Sequence, residues 1–174
     1  KSFNSHSDFS NGIFSVGCSC PYNITYGFEL MTNKESAHNF FRFLMSRDVD
    51  MNNLEGVLYD YSCGLDPYLL NRDPREFEYK RILVDGAHWA SQKKLKKTNQ
   101  TGSGGHIGCS DSFNYNLYRP HLNINYDLNS QGREQLHAKL DACCKTLRLM
   151  SYSNYMIFLR AFFAVTNLKN RGFN

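Results

Sequence analysis

The order of apolar patterns in this chain predicts an α/β layered fold with a helical C-terminal part. Two alternating segments come first, two short apolar runs that each end in an aspartate follow, and helical periodicity fills the C-terminal end. A length of 174 residues suits one domain with a single sizeable core, so residues 1–174 are predicted to form one domain.

The N-terminal part is predicted to be a hairpin followed by a helix. Apolar and polar residues alternate over residues 12–20 and again over 26–30, which is the pattern of two half-buried strands. A capping-box spacing over residues 32–35 predicts the start of a helix. Its apolar side chains recur at helical spacing: Ala37, Phe40, Phe41, Leu44 and Met45.

The middle of the chain contains the two short apolar runs, residues 57–59 and 82–84. They are predicted to be interior strands covered on both faces. Residues 65–78 between them are predicted to be helical, with breaks at Pro67 and Pro74. Residues 91–105 are polar and end in a run of glycine and serine, which predicts a flexible basic loop.

Two helices are predicted at the C-terminal end. Ser130 is positioned to cap a long helix with one apolar stripe, and a last helix spans about 153–168. Its apolar segment, 155–165, is predicted to be a buried core helix. The stripe of the long helix consists of Leu136, Leu140, Cys143, Leu147 and Met150.

Composition narrows the classes of function. The formal net charge of +4 is compatible with a polyanionic partner without requiring one. The sequence contains neither a signal-peptide pattern nor an apolar run of membrane-spanning length, so we expect an intracellular protein. In a reducing compartment the six cysteines are predicted to be free thiols or metal ligands rather than disulfides. They show no spacing to a histidine that would support thiol catalysis.

Asp60 is a candidate ligand for magnesium or manganese. It follows the apolar run 57–59 directly, and ligands of open α/β sheets bind beyond the carboxyl ends of the strands. Carboxylates suit these hard cations, which can assist phosphoryl transfer. The competing interpretation is that Asp60 caps the helix or turn that follows.

Four further residues have the donor types of a structural zinc site: Cys63, His88, His106 and Cys109. The pair His106 and Cys109 has chelating spacing, and Cys63 and His88 each follow a predicted strand. The competing interpretation is a buried thiol, an inert thiol and two histidines that bond to backbone.

The predicted loop contains a cluster of lysines at Lys93, Lys94, Lys96 and Lys97. Such a cluster can contact nucleic-acid phosphates or serve as a nuclear-import signal. A merely solvated loop is the competing interpretation.

Four motifs, in this order, resemble the C-terminal half of the transposase domain of the Kyakuja-Dileera-Zisupton group of DNA transposons. They are Tyr-Asp-Tyr-Ser-Cys at 59–63, Val-Asp-Gly-Ala-His-Trp at 84–89, Gly-His-Ile-Gly-Cys-Ser at 105–110 and Leu-Asn-Ser-Gln-Gly-Arg-Glu-Gln at 128–135. The family pattern has a histidine and a second cysteine where this chain has Asp66 and Leu69.

The resemblance implies a ribonuclease-H-like sheet with flanking helices that lacks its first strand. It also implies metal-dependent phosphoryl transfer on DNA in the nucleus, with two aspartates and a glutamate as metal ligands. Asp60 matches the second aspartate and Glu134 matches the glutamate, which is also a first-turn position favoured by the helix dipole. The first aspartate lies upstream in the family, so an upstream domain or a partner chain would supply it.

Catalysis by this chain is therefore expected to be incomplete, and DNA binding by the chain alone is expected to be weak. The alternative function is a catalytically silent module that binds DNA or a protein and retains a structural zinc site.

Overall fold

The computed structural model describes residues 12–46, 50–84, 88–89, 110–121, 128–129, 131–147 and 149–173. The described strands are β1 (Gly12–Gly17), β2 (Thr25–Met31), β3 (Gly56–Leu58) and β4 (Arg81–Leu83). The described helices are α1 (Ala37–Met45), α2 (Ser62–Arg72), α3 (Pro74–Phe77), α4 (Tyr115–Tyr118), α5 (Gly132–Asp141), α6 (Cys144–Leu147) and α7 (Tyr152–Asn170). Short 3-10 turns occupy Met51–Asn53, Asp111–Phe113 and Arg119–His121. None of the described helices has the length and apolar character needed to cross a membrane.

The chain divides into two units, which we call the hairpin unit (residues 1–35 and 126–174) and the crossover unit (residues 36–125). Strands β1 and β2 pair antiparallel in the hairpin unit, and β3 and β4 pair parallel in the crossover unit. These are the two sheets of the described residues, and they confirm the mixed α/β class.

The core of the hairpin unit forms between the hairpin and the C-terminal helices. The Phe28 ring stacks on the Phe163 ring with centroids 4.7 Å apart, and Ile13 and Leu30 pack against the same cluster. The predicted hairpin and most of the predicted stripe are confirmed. The buried members of the cluster are Leu136, Leu140, Leu147, Tyr155, Leu159 and Phe163.

Two predictions about these helices are wrong in detail. The single long helix is interrupted after Asp141 by a turn at Ala142 and Cys143, so α5 and α6 are separate. The last helix is present, but it is not buried all round. Ile157 is 64% exposed and Val165 49% exposed, because α7 packs through the one face that carries Tyr155, Leu159 and Phe163.

A polar network joins the two ends of the hairpin unit. The Arg133 guanidinium donates to Thr25 Oγ1 at 2.7 Å, to the Asn23 carbonyl at 3.0 Å and to Asn23 Oδ1. Asn23 Nδ2 in turn donates to the Gly132 carbonyl at 3.0 Å. Asn167 of α7 pairs with the backbone of Thr25 in both directions, accepting at 2.8 Å and donating at 2.9 Å. The amide side chain therefore satisfies backbone groups at the start of β2.

The connection between β1 and β2 corrects the prediction that the cysteines are free thiols. Cys18 and Cys20 form a disulfide. The chain reverses here, and the two Cα atoms lie 5.1 Å apart, which is within the range that a disulfide can bridge. Cys63 and Cys143 are free thiols, as predicted.

The crossover unit is a β3–α2–α3–β4 arrangement. Two parallel strands need a crossover of this kind because a tight turn cannot join them. Helix α1 packs beside α2, and the Phe40 and Tyr59 rings lie 5.1 Å apart. The other large apolar side chains buried in this unit are Phe43, Leu44, Leu65, Leu69, Phe77, Ile82, Leu83, Val84, Trp89 and Tyr115.

Several local predictions for this unit need correction. The N-cap of α1 is Ser36, whose hydroxyl accepts from the Asn39 N–H at 3.3 Å, so the capping box at 32–35 is wrong. Pro74 begins α3, as a proline at the first helical position should, but Pro67 lies inside α2 without ending it. Burial of Leu65 and Leu69 holds the helix together across the one backbone bond that Pro67 removes. The residues of β3 are only half-buried, so coverage of both faces holds for Ile82 and Leu83 of β4 alone.

Candidate metal centre

The candidate site lies where β3 and β4 end. Val57 pairs with Ile82 and Leu58 with Leu83, and the Tyr59 N–H continues the ladder by donating to the Leu83 carbonyl at 2.9 Å. Because the strands are parallel, their carboxyl ends meet at one edge of the sheet. The residues that follow each strand therefore emerge side by side.

Asp60 and His88 meet at this edge. Asp60 comes two residues after β3, and His88 lies in a helical segment that follows β4. Asp60 Oδ1 is 3.4 Å from His88 Nδ1, and the two side chains are 66% and 33% exposed. The prediction that the Asp60 carboxylate faces open space is confirmed. The N-cap position of α2 is Tyr61, whose side chain makes no capping hydrogen bond.

Buried neighbours hold both residues in place. Trp89, beside His88 in the chain, is 5% exposed and packs with the fully buried Val84. Ser62, also fully buried, contacts the ends of both strands, since its hydroxyl lies 2.6 Å from the Tyr59 carbonyl oxygen and 2.8 Å from that of Leu83. The buried contacts of Trp89 and Ser62 therefore support the side chains of Asp60 and His88.

A carboxylate and an imidazole at this separation are a usable pair of ligands for a divalent cation. Magnesium prefers oxygen ligands alone, whereas manganese and zinc also accept imidazole nitrogen. The pair combines one residue from each metal site that the sequence predicts, Asp60 from the magnesium or manganese site and His88 from the zinc site. A signal for this was present in the sequence, because both residues follow apolar runs of strand type.

Comparisons with known proteins identify no relative. No family model, no curated protein and no solved structure matches the chain significantly. The family therefore remains a proposal that rests on the motifs at 59–63, 84–89, 105–110 and 128–135.

Glu134 and Cys63, two further predicted ligands, lie in helices. Glu134 is exposed in the first turn of α5, in the hairpin unit. Cys63 is a half-buried free thiol of α2 that packs against Val84 and Trp89. His106, Cys109 and the four lysines at positions 93, 94, 96 and 97 lie outside the described residues. The zinc site therefore stays a prediction.

The sequence differs from the pattern that it resembles at Asp66 and Leu69, both in α2. Leu69 is fully buried and serves as a core residue. Asp66 is half-buried, and burial raises the pKa of its carboxyl group. Among the described residues, no histidine or second cysteine takes up these roles in α2.

Proposed function

We propose that this chain is a transposase-related domain that binds a divalent cation and acts on DNA. The observation that supports this proposal is the pairing of Asp60 with His88 at the carboxyl ends of two parallel strands, where ligands bind in open α/β sheets. DNA as the substrate comes from the resemblance. A ribonuclease-H-like topology belongs to the same proposal, because hairpin, helix, two strands and C-terminal helices follow one another in the expected order.

Asp60 Oδ1 and His88 Nδ1 would be two of the ligands, and Glu134 is the third on the resemblance alone. Two oxygen donors and one nitrogen donor suit manganese, with magnesium as the weaker alternative and zinc as a competitor. A bound cation would polarise a phosphoryl oxygen and lower the pKa of its water ligand. Asp60 can contact both cation and solvent because its side chain is two-thirds exposed, and buried Trp89 limits the movement of His88.

Calorimetric titration with manganese tests the ligand assignment. We expect Asp60→Asn and His88→Gln each to weaken binding by about tenfold or more, since each removes one ligand atom. Glu78→Gln and His121→Gln are matched controls, because both residues are exposed and neither follows the carboxyl end of β3 or β4 directly. Unchanged affinity in Asp60→Asn would contradict the proposal, and Glu134→Gln tests the third ligand separately.

The chain by itself is not expected to cleave or join DNA. The resemblance identifies two of its three carboxylates here, Asp60 and Glu134, and a site with a carboxylate missing binds its metals weakly and positions them poorly. Purified protein would be incubated with supercoiled and linear DNA in manganese or magnesium, beside Asp60→Asn. Nicking by the wild type that the variant lacks would show that the site is complete.

Weak DNA binding through the lysine cluster is expected to persist without catalysis. If all four lysines neutralise a phosphate, affinity should fall roughly 100-fold between about 50 and about 200 mM salt. Fluorescence anisotropy of a labelled duplex measures this dependence. Replacement of the four lysines by glutamine should flatten it, and an unchanged salt dependence would exclude the cluster as the contact.

A silent module with a structural zinc site is the second candidate, and the packing of Cys63 against the neighbour of His88 favours it. Zinc and manganese can be separated by one variant. Cys63→Ser should weaken zinc binding and leave manganese binding unchanged if Cys63 is a zinc ligand. A melting temperature that does not change on chelation would rule the structural zinc out.

A further inference from the structure

A polar cavity lies within the hairpin unit, separate from Asp60 and His88. Its volume is about 150 Å³, enough for several water molecules or a group of phosphate size. The turn before β2, the start of α5 and the last turns of α7 surround it. Its lining residues are Pro21, Asn23, Asn129, Gln135, Leu136, Lys139, Thr166 and Asn170.

The hydrogen bonds among the described residues around the cavity leave donors available. Gln135 Oε1 accepts from Asn129 Nδ2 at 3.3 Å, so the Gln135 amide nitrogen remains as a donor. Asn170 Nδ2 gives one hydrogen to the Asn23 carbonyl at 3.3 Å and has a second. Lys139 adds an ammonium with three donors. Gln135, Asn170 and Lys139 therefore carry more donor hydrogens than these two hydrogen bonds use.

The charge around the cavity is positive. Among the described residues that line the cavity, Lys139 is charged and none is a carboxylate. Behind Asn23 lies the Arg133 guanidinium, whose hydrogen bonds within the described residues all go to neutral oxygens of Thr25 and Asn23. Burial lowers the pKa of Arg133 to about 10. An anion in the cavity would interact favourably with both cations.

We propose that this cavity binds a phosphate group, with Lys139 as the charged contact and Gln135 and Asn170 as amide donors. Arg133 acts through its electrostatic field, because its hydrogen bonds among the described residues go to Thr25 and Asn23 rather than into the cavity. The composition of the lining favours phosphate over other ligands. The described lining has neither the carboxylates that a cation would need nor an aromatic residue on which a nucleobase could stack. The proposal is independent of a metal at Asp60.

Phosphate-detected NMR titration of the whole chain in EDTA tests the proposal without any metal. The probes are inorganic phosphate, a short oligonucleotide with a 5′-phosphate and the same oligonucleotide without it. We expect Lys139→Gln to weaken binding of the preferred probe roughly tenfold through loss of one charged contact. Gln135→Glu should weaken it further by placing a negative charge in the cavity. Inorganic phosphate binding alone identifies a free anion, a requirement for the 5′-phosphate identifies a terminal phosphate, and equal binding of both oligonucleotides identifies the backbone.

Lys169→Gln is the matched control, since it removes the same charge from an exposed position of α7 that does not line the cavity. Its affinity should stay within about twofold of the wild type. Equal weakening by Lys139→Gln and Lys169→Gln would mean non-specific attraction and would overturn the proposal, as would the absence of binding by all three probes. Circular dichroism of each variant verifies that it is folded.

Discussion

The polar network around Arg133 and the pair formed by Asp60 and His88 differ in how far their groups are removed from solvent. Arg133 is half-buried and donates to three oxygens of Thr25 and Asn23. Asp60 remains 66% exposed, and its contact with His88 is 3.4 Å long. The first arrangement satisfies backbone and side chains within the hairpin unit, whereas the second leaves ligand atoms in contact with solvent.

The difference separates a structural role from a binding role. Buried donors and acceptors lose their water, so removing one partner is costly, while an exposed ion pair contributes little to stability. A residue that contributes little to stability, and that buried neighbours hold in place, is well suited to bind a ligand. We therefore expect substitutions in the Arg133 network to affect stability more than cation binding, and substitutions of Asp60 or His88 to affect cation binding more than stability.

Arg133→Gln should have the largest effect on stability. The shorter side chain cannot reach Thr25 Oγ1 and both Asn23 oxygens, so we expect the free energy of unfolding to fall by about 3 kcal/mol. Urea denaturation followed by circular dichroism measures it. Arg160→Gln, at an exposed position of α7, is the control and should change stability by less than about 0.5 kcal/mol. Similar losses in the two variants would mean that the network is not structural.

Gly17→Ala tests the same network from the strand side. A Cβ at Gly17 would lie 2.3 Å from the Ile24 carbonyl oxygen and 2.6 Å from Arg133 Nη1, so backbone and guanidinium must shift. The expected loss is about 2 kcal/mol. Gly64→Ala is the comparison in the crossover unit. The three atoms nearest its Cβ would all belong to the side chain of Tyr61, which is 41% exposed, and alanine favours the helix, so the loss should be clearly smaller.

His137 gives the hairpin unit a pH dependence. Burial, and then the charge of Arg133, lower the pKa of His137, whose Nε2 lies 2.9 Å from Ser15 Oγ. Above the unfolded pKa of about 6.5 the residue is neutral in both states and has no effect. As pH falls below that value the unfolded chain binds the proton more readily, so the free energy of unfolding decreases down to the folded pKa.

The measurement is urea denaturation at a series of pH values between about 7 and about 5, where histidine titrates. His137→Gln should reduce the decrease in stability. His38→Gln, at an exposed residue whose Nδ1 lies 3.0 Å from Tyr68 Oη, serves as the control and should retain it. A decrease that persists unchanged in His137→Gln would assign the effect to other groups.

Asp60→Asn should have the smallest effect on stability. The pair with His88 is exposed, so the free energy of unfolding is expected to change by less than about 0.5 kcal/mol. Thermal denaturation without metal measures this change. A large loss of stability would mean that Asp60 is structural, and the contrast with Arg133 would disappear.

The elements with clear periodicity were predictable from the sequence, and their interruptions were not. The hairpin and α1 follow apolar patterns of period 2 and 3.6, and the two parallel strands and α7 correspond to continuous apolar segments. The start of α1 was placed too early because Thr32 and Ser36 are both acceptable caps, and the sequence does not say which one the fold uses. The break after Asp141 and the disulfide of Cys18 depend on tertiary geometry that periodicity does not contain.

The candidate site was predictable to a similar degree. Asp60 and His88 were identified separately, as residues that follow strands. Their contact depends on the parallel pairing of β3 with β4 and on the helical segment that returns His88 to the strand ends. Arg133 was not identified, because it lies beside the motif residue Glu134 in a helix whose apolar stripe points elsewhere. Only the acceptors at Asn23 and Thr25, more than a hundred positions earlier in the chain, give it a role.

Ser62 has a consequence for the proposed metal centre. Its hydroxyl has one hydrogen for two carbonyl oxygens, that of Tyr59, which follows β3, and that of Leu83, the last residue of β4. If Asp60 and His88 bind a cation as proposed, this buried hydroxyl would help to set the bite distance of the chelate that they form. Ser62→Ala would widen the range of separations that Asp60 and His88 adopt. Discrimination between cations of different radius would then decline before affinity for any one of them does.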